Sequence, residues 1–170
     1  MKRIIVILLL ALSATAWADG VGEGKYAPDF DKKATLASGK KFKIKSLRGK
    51  WVVMTIGASW CKPCRKEWPA WDKLAAEYKG KVTFIAVNID NDHGKATSFL
   101  KKLKIKNLKV VFSPQDKTNT ADAYLGGDDP KFPTTFVINP SGVIKHVHQE
   151  YHDGDADKLS AKLDALLSDE

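Results

Sequence analysis

The segment Trp51-Val52-Val53-Met54-Thr55-Ile56 is apolar at almost every position and lacks polar alternation. It therefore predicts a strand buried on both faces. A sheet with such strands needs helices on both sides, which restricts the chain to a layered α/β fold. A second run of this kind, Val82-Thr83-Phe84-Ile85-Ala86-Val87-Asn88-Ile89, follows one helix later. Between them Trp68, Trp71, Leu74, Ala75 and Tyr78 recur at spacings of three and four, as on one face of a helix, which Gly80 ends. The expected unit is β–α–β with a right-handed crossover. Pro63 suits the first turn of that helix, whereas Pro69 lies in its interior and predicts a kink.

The alternation continues along the chain. Thr35-Leu36 and Lys41-Phe42-Lys43-Ile44 predict a small hairpin before the main sheet. Residues 95–103 read as a helix, 109–112 as a short strand and 120–124 as a helical turn or two. Strands over 134–138 and 143–147 flank the turn Asn139-Pro140-Ser141-Gly142. Residues 157–167 close the chain as an amphipathic helix, apolar at Leu159, Leu163, Leu166 and Leu167. The expectation is one α/β domain over 26–170, with a central mixed sheet flanked by helices and an N-terminal β-hairpin extension. Residues 19–25 read as a flexible linker.

Lys2 and Arg3 precede the apolar run Ile4 to Leu12, and Ala16-Trp17-Ala18 supplies an A-x-A site. This is the pattern of a signal peptide over 1–18, cleaved after Ala18. An uncleaved anchor is the alternative, although the run is far shorter than the roughly 20 residues of a spanning helix. The expected location is the periplasm or another exported compartment. Across the 170 residues the formal charge is +8, and +6 without the signal (26 basic against 20 acidic residues). Such a balance favours anionic partners, but no nucleic-acid recognition motif accompanies it. The densest stretch, Lys101-Lys102-Leu103-Lys104-Ile105-Lys106-Asn107-Leu108-Lys109, reads as a solvated helix end. A docking surface for an acidic partner or anionic lipid is the other reading.

The two cysteines, Cys61 and Cys64, form one CxxC just before the predicted helix. A structural disulfide would normally span a longer loop, because short loops give little entropic stabilisation. A zinc site would need two further ligands. His146 and His148 fall on one face of a predicted strand with His152 nearby, a spacing more typical of a solvated face than of a metal site. Redox chemistry is the better use of this pair.

Ala58-Ser59-Trp60-Cys61-Lys62-Pro63-Cys64, followed by Glu67-Trp68-Pro69, resembles the TlpA/ResA group of bacterial thioredoxin-like proteins. So do Ala27-Pro28-Asp29-Phe30 and the run from Phe132-Pro133-Thr134-Thr135 to Gly142. The resemblance covers about residues 26–167 and implies a thioredoxin-like fold. It also implies a thiol–disulfide oxidoreductase without cofactor or metal, a monomer acting on protein thiols and disulfides. As a specific reductant it would serve exported clients, such as cytochrome c precursors or copper-site assembly factors, and be recharged by a membrane thiol donor. A general oxidant would carry a larger helical insertion than residues 90–131 offer. A thiol peroxidase would need a Pro-x-x-x-Thr-x-x-Cys setting, which is missing. A metallochaperone or binding module on the same fold is the remaining alternative, although copper chaperones of this superfamily resemble CxxxC.

Within that resemblance Cys61, at the helix start, is the nucleophile, since free backbone N–H groups and the helix dipole stabilise its thiolate. Cys64, one turn further in, is the resolving thiol. The resemblance implies a cis peptide bond before Pro133, with Trp60, Pro63, Phe132 and Pro133 meeting the substrate. Glu67, three residues beyond Cys64, would be buried near the cysteines and exchange protons with them. Its alternative is a surface charge among Arg65, Lys66 and Lys73.

Overall fold

The computed structural model describes residues 20–30, 33–115, 120–126 and 129–169. The predicted signal segment lies outside the described residues. The strands are β1 (Thr35–Leu36), β2 (Trp51–Gly57), β3 (Val82–Asn88), β4 (Lys109–Phe112), β5 (Thr134–Ile138) and β6 (Ile144–Gln149). The helices are α1 (Cys64–Glu77), α2 (His93–Leu103), α3 (Thr120–Leu125) and α4 (Asp155–Ser168). The strands form one mixed sheet in the order β1-β4-β3-β2-β5-β6. Central β2 runs parallel to β3 and antiparallel to β5, and all seven of its residues are buried. That is what its nearly continuous apolar run predicts.

Alternation along β2 divides the core. Val52, Met54 and Ile56 join Ile85, Val87, Phe136 and Tyr124 in one cluster. Trp51 and Val53 join Trp68, Trp71, Phe84, Val137 and Leu163 in the other. Trp68 and Trp71, at 0% and 1% exposure, fix α1 to the sheet. Truncating either to alanine would cost roughly 3–5 kcal/mol. Pro69 lies inside α1, which is assigned as one helix from Cys64 to Glu77.

Three differences from the sequence expectation have local causes. The hairpin's second arm shrinks to a bridge between Lys41 and Thr35, and Ile44–Leu47 forms a 3-10 helix, with Ile44 and Leu47 buried. Burial still alternates over the predicted residues, with Phe42 and Ile44 inside, and the helical spacing begins only at Ile44. Helix α2 begins two residues earlier than its apolar stripe, since Asp92 caps it by accepting from the N–H groups of Gly94 and Lys95. The 20–25 segment, expected as a linker, is tied to the domain. Gly24 N–H donates to the Ile144 carbonyl at 2.8 Å, and Glu23 accepts from Val147 N–H at 3.1 Å. These bonds use backbone groups of β6, the last strand of the sheet, whose outer edge would otherwise be open.

Candidate active site

Strand β2 ends at Gly57 because nothing larger fits: a Cβ there would lie 2.6 Å from Cys64 Sγ and 3.2 Å from the Trp68 ring. The loop that follows is held from β3's end. Asp90, 7% exposed, accepts from Ser59 N–H at 2.9 Å, Ser59 Oγ at 2.8 Å and Asn88 Nδ2 at 2.8 Å. Cys61 N–H donates to the Ala58 carbonyl at 3.1 Å. Pro63, in the αR region, is the N-cap position of α1, so the helix starts at Cys64. There the free N–H of Cys64 points at Cys61 Sγ, 3.2 Å away. A thiolate at that sulfur would accept the same bond.

Cys61 and Cys64 are joined as a disulfide, 4% and 0% exposed. The outer sulfur therefore keeps a narrow opening while the inner one has none. Trp60, 55% exposed, meets Phe132 edge-on with ring centroids 5.1 Å apart. The Phe132-Pro133 bond is cis, and Pro133 is buried. Thr134 follows and pairs with Ile56, which brings the start of β5 beside the end of β2. The fold thus gathers Trp60, Cys61, Cys64, Phe132 and Pro133 at one end of the sheet, with Pro63 exposed at the helix start.

Glu67 is fully buried. Its two carboxyl oxygens accept from Thr55 Oγ1 at 2.6 Å and Thr135 Oγ1 at 2.7 Å. Thr55 and Thr135 are direct cross-strand neighbours, and Trp71 Nε1 donates to Thr135 at 3.0 Å. Burial pushes the Glu67 carboxyl up to about 8, since the hydroxyls and the Trp71 indole offset only part of the desolvation. At neutral pH the group, one helical turn from Cys64, is mostly protonated. The surface-charge alternative for Glu67 is excluded by this burial.

Sequence inspection missed the Ser59–Asp90–Asn88 clamp and the two threonines. A signal existed for the latter, since Thr55 interrupts an apolar run and Thr135 stands in another. The histidines are engaged elsewhere: His146 contacts Glu23 at 3.1 Å, and His148 contacts Asp155 at 3.0 Å. Among the described residues no three His, Cys, Asp or Glu side chains stand together as metal ligands. Nor is any described helix long and apolar enough to cross a membrane.

Residues 22–166 match the Redoxin family. The chain is 32% identical over 152 residues to the thioredoxin-like protein YneN of Bacillus subtilis, covering 84% of this chain and 86% of that one. It is also 32% identical over 151 residues to the thiol-disulfide oxidoreductase ResA of the same organism, covering 85% and 80%. A crystal structure from Chlorobium tepidum, provisionally named thiol:disulfide interchange protein DsbE, superposes with a TM-score of 0.73 at 28% identity, over 86% of this chain and 98% of that one. With a thioredoxin-like sheet, a CxxC at the head of α1 and relatives of this kind, the chain belongs to the Redoxin family, as a thiol–disulfide oxidoreductase of the ResA type.

Proposed function

We propose that this protein is an exported, specific reductant of protein disulfides, recharged by a membrane thiol donor. Its clients would be those of cytochrome c maturation or copper-site assembly. The Cys61 thiolate attacks one sulfur of the client's disulfide, forming a mixed disulfide and releasing the client's other sulfur as a thiolate. Cys64 then loses its proton to ionised Glu67 and attacks Cys61 Sγ. The Cys61–Cys64 disulfide forms, and the client leaves as a dithiol. Recharging runs in reverse: a donor thiolate opens the disulfide at Cys61 while protonated Glu67 supplies the proton that the buried Cys64 sulfur needs. The donor's second thiol then attacks the mixed disulfide, releasing Cys61 as a thiolate and leaving the donor as a disulfide. Trp60, Pro63, Phe132 and Pro133 form the rim against which an extended client segment lies.

The observation that carries this reading is Glu67, an acid buried without a cationic partner one turn from the shielded cysteine. Such a group is costly to keep and useful for moving a proton in a dry site. Cys61→Ser is expected to abolish exchange, whereas Cys64→Ser accumulates mixed disulfides through Cys61. Alkylation of the reduced protein should label Cys61 first, and preferential labelling of Cys64 would reverse the two roles. The direction of electron flow is tested by the reduction potential. A value near the −120 mV end of the range of about −270 to −120 mV for CxxC proteins would replace the reductant with an oxidant.

A further inference from the structure

A groove of about 430 Å³ between the start of α1 and α2 takes no part in the exchange chemistry. Arg65, Lys95 and Lys102 surround it, Phe99 and Leu103 give it an apolar lining, and Ser59 bounds it two residues before Cys61. The three cations are exposed, and among the described residues none of them is in an ion pair. Lys66, one residue beyond Arg65, is by contrast paired with Asp153 at 3.2 Å. Arg65 donates to the Ser59 carbonyl at 3.3 Å, which orients its guanidinium along the loop leading to the cysteines.

The nearby carboxylates do little to neutralise this groove. Asp90 is buried, with its oxygens bound to Ser59 and Asn88. Asp72 accepts the backbone N–H groups of Lys106, Asn107 and Leu108. Asp92 caps α2, and the helix itself carries Lys95, Lys101 and Lys102 without a single acidic residue. An apolar lining edged by unpaired cations suits an occupant that is itself both apolar and anionic.

We propose that this groove docks acidic residues flanking the client's disulfide, so that the preferred substrates are polypeptides with Asp or Glu close to the cystine. The proposal rests on the exchange reading above and adds a substrate class to it. The groove meets the loop that carries Cys61 through Ser59 and is not lined by the cysteines, so its cations act on encounter and KM more than on the chemical step.

The test compares two disulfide peptides of equal length, one flanked by Asp and Glu and one by Lys and Arg, with the reduced full chain. A preference of roughly tenfold in kcat/KM for the acidic peptide is expected at low salt, carried by KM, and shrinking to about twofold near 0.5 M salt. Lys95→Glu with Lys102→Glu should reverse the preference, and Arg65→Gln, Lys95→Gln and Lys102→Gln should each remove part of it. Equal rates for the two peptides overturn the groove while leaving exchange intact. So does binding of the chain to phosphatidylglycerol vesicles that the double variant abolishes while peptide preference stays flat, because the groove would then serve lipid. If the unmodified protein turns over neither peptide nor the small neutral disulfide hydroxyethyl disulfide, the exchange reading falls and the groove proposal falls with it.

Discussion

Two carboxylates of this domain are covered almost completely, yet their carboxyl values move in opposite directions. Glu67, on α1, faces two threonine hydroxyls and an indole, and its carboxyl is pushed up to about 8. Asp155, at the start of α4, is only 2% exposed, yet it is held down to about 2. Desolvation acts on both, but Asp155 is covered by the groups that neutralise it. Lys158 Nζ lies 2.9 Å away, His152 N–H 2.6 Å and His148 Nε2 3.0 Å. Its charge is stabilised from the solvent side, whereas Glu67 is enclosed by sheet and helix without a cation. Accessible area alone therefore does not tell a carboxyl held protonated from a structural anion; the charge of the covering groups does.

The largest expected effect comes from removing the charge at Glu67. A carboxyl raised from 4.5 to about 8 binds more protons folded than unfolded. It therefore costs no stability below its ordinary value, and stability is lost as pH rises through the window up to about 8. The loss approaches ~1.4 kcal/mol per pH unit inside that window, several kcal/mol in all. Urea denaturation of the oxidised protein should show Glu67→Gln gaining on wild type between about pH 5 and 8. Parallel stability curves would place Glu67 with Asp155 as an ordinary anion. In the reduced protein the same substitution should speed Cys61 alkylation above about pH 8, where the carboxylate is ionised and opposes the thiolate. Turnover should nevertheless fall, by roughly tenfold or more, because the proton carrier is gone.

At Asp155 the sign reverses. Its depressed value contributes stability that is present above the ordinary carboxylate value of 3.8 and is lost as pH falls towards 2. Asp155→Asn should cost about 1–2 kcal/mol at neutral pH, a modest figure because Lys158 is 75% exposed and water screens it. Equilibrium denaturation at neutral pH and at about pH 2 checks this: the gap between variant and wild type should close in acid. Exchange activity towards small disulfides should persist, in contrast to Glu67→Gln.

A smaller effect sharpens the comparison from inside the Glu67 site. Thr55 Oγ1 donates to Glu67, and the bond favours the ionised form. Thr55→Val keeps the shape of the β2 residue and removes that donor. The Glu67 midpoint should rise, and the pH window over which stability falls should extend upward. A midpoint that falls would mean that the hydroxyl stabilises the protonated acid instead.

How much of this contrast could be read from the sequence differs between the two sites. The nearly continuous apolar run of β2 is enough to place a central strand, and the CxxC with Pro63 is enough to place a helix start behind it. The burial of Glu67 is implied only by the family resemblance, since its neighbours Arg65, Lys66 and Lys73 alone suggest a surface position. Thr55 and Thr135 are 80 positions apart in the chain and meet only through the antiparallel register of β2 and β5. No local pattern encodes that register. Asp155 belongs to a helix whose predicted start, residue 157, lay two residues too late, because Gly154 with φ 94° turns the chain into α4 ahead of the apolar stripe. The ion cluster at that start was therefore invisible, although His148 and His152 had been noted. Likewise Asp90 looks like a polar residue after a strand until the loop after β2 folds back onto it.

The smallest predicted effect asks whether the two carboxylates are independent. Asp155 raises the Glu67 value through its negative charge, an influence smaller than burial, the threonine hydroxyls and the Trp71 indole. The coupling is modest because Lys158 and His148 offset the charge of Asp155 from within hydrogen-bond distance. Asp155→Asn should therefore lower the Glu67 midpoint, by no more than a few tenths of a pH unit. The measurement is a carboxyl NMR titration of Glu67 in the oxidised protein, at low ionic strength and again at high salt. A Coulombic link through the protein interior predicts a downward shift at both, because salt screens a buried path little. A shift seen only at low salt would mean that the field passes through solvent. If the midpoint rises, the substitution has loosened the packing of α4 and changed the hydration of Glu67, and the two sites are joined by structure instead of charge.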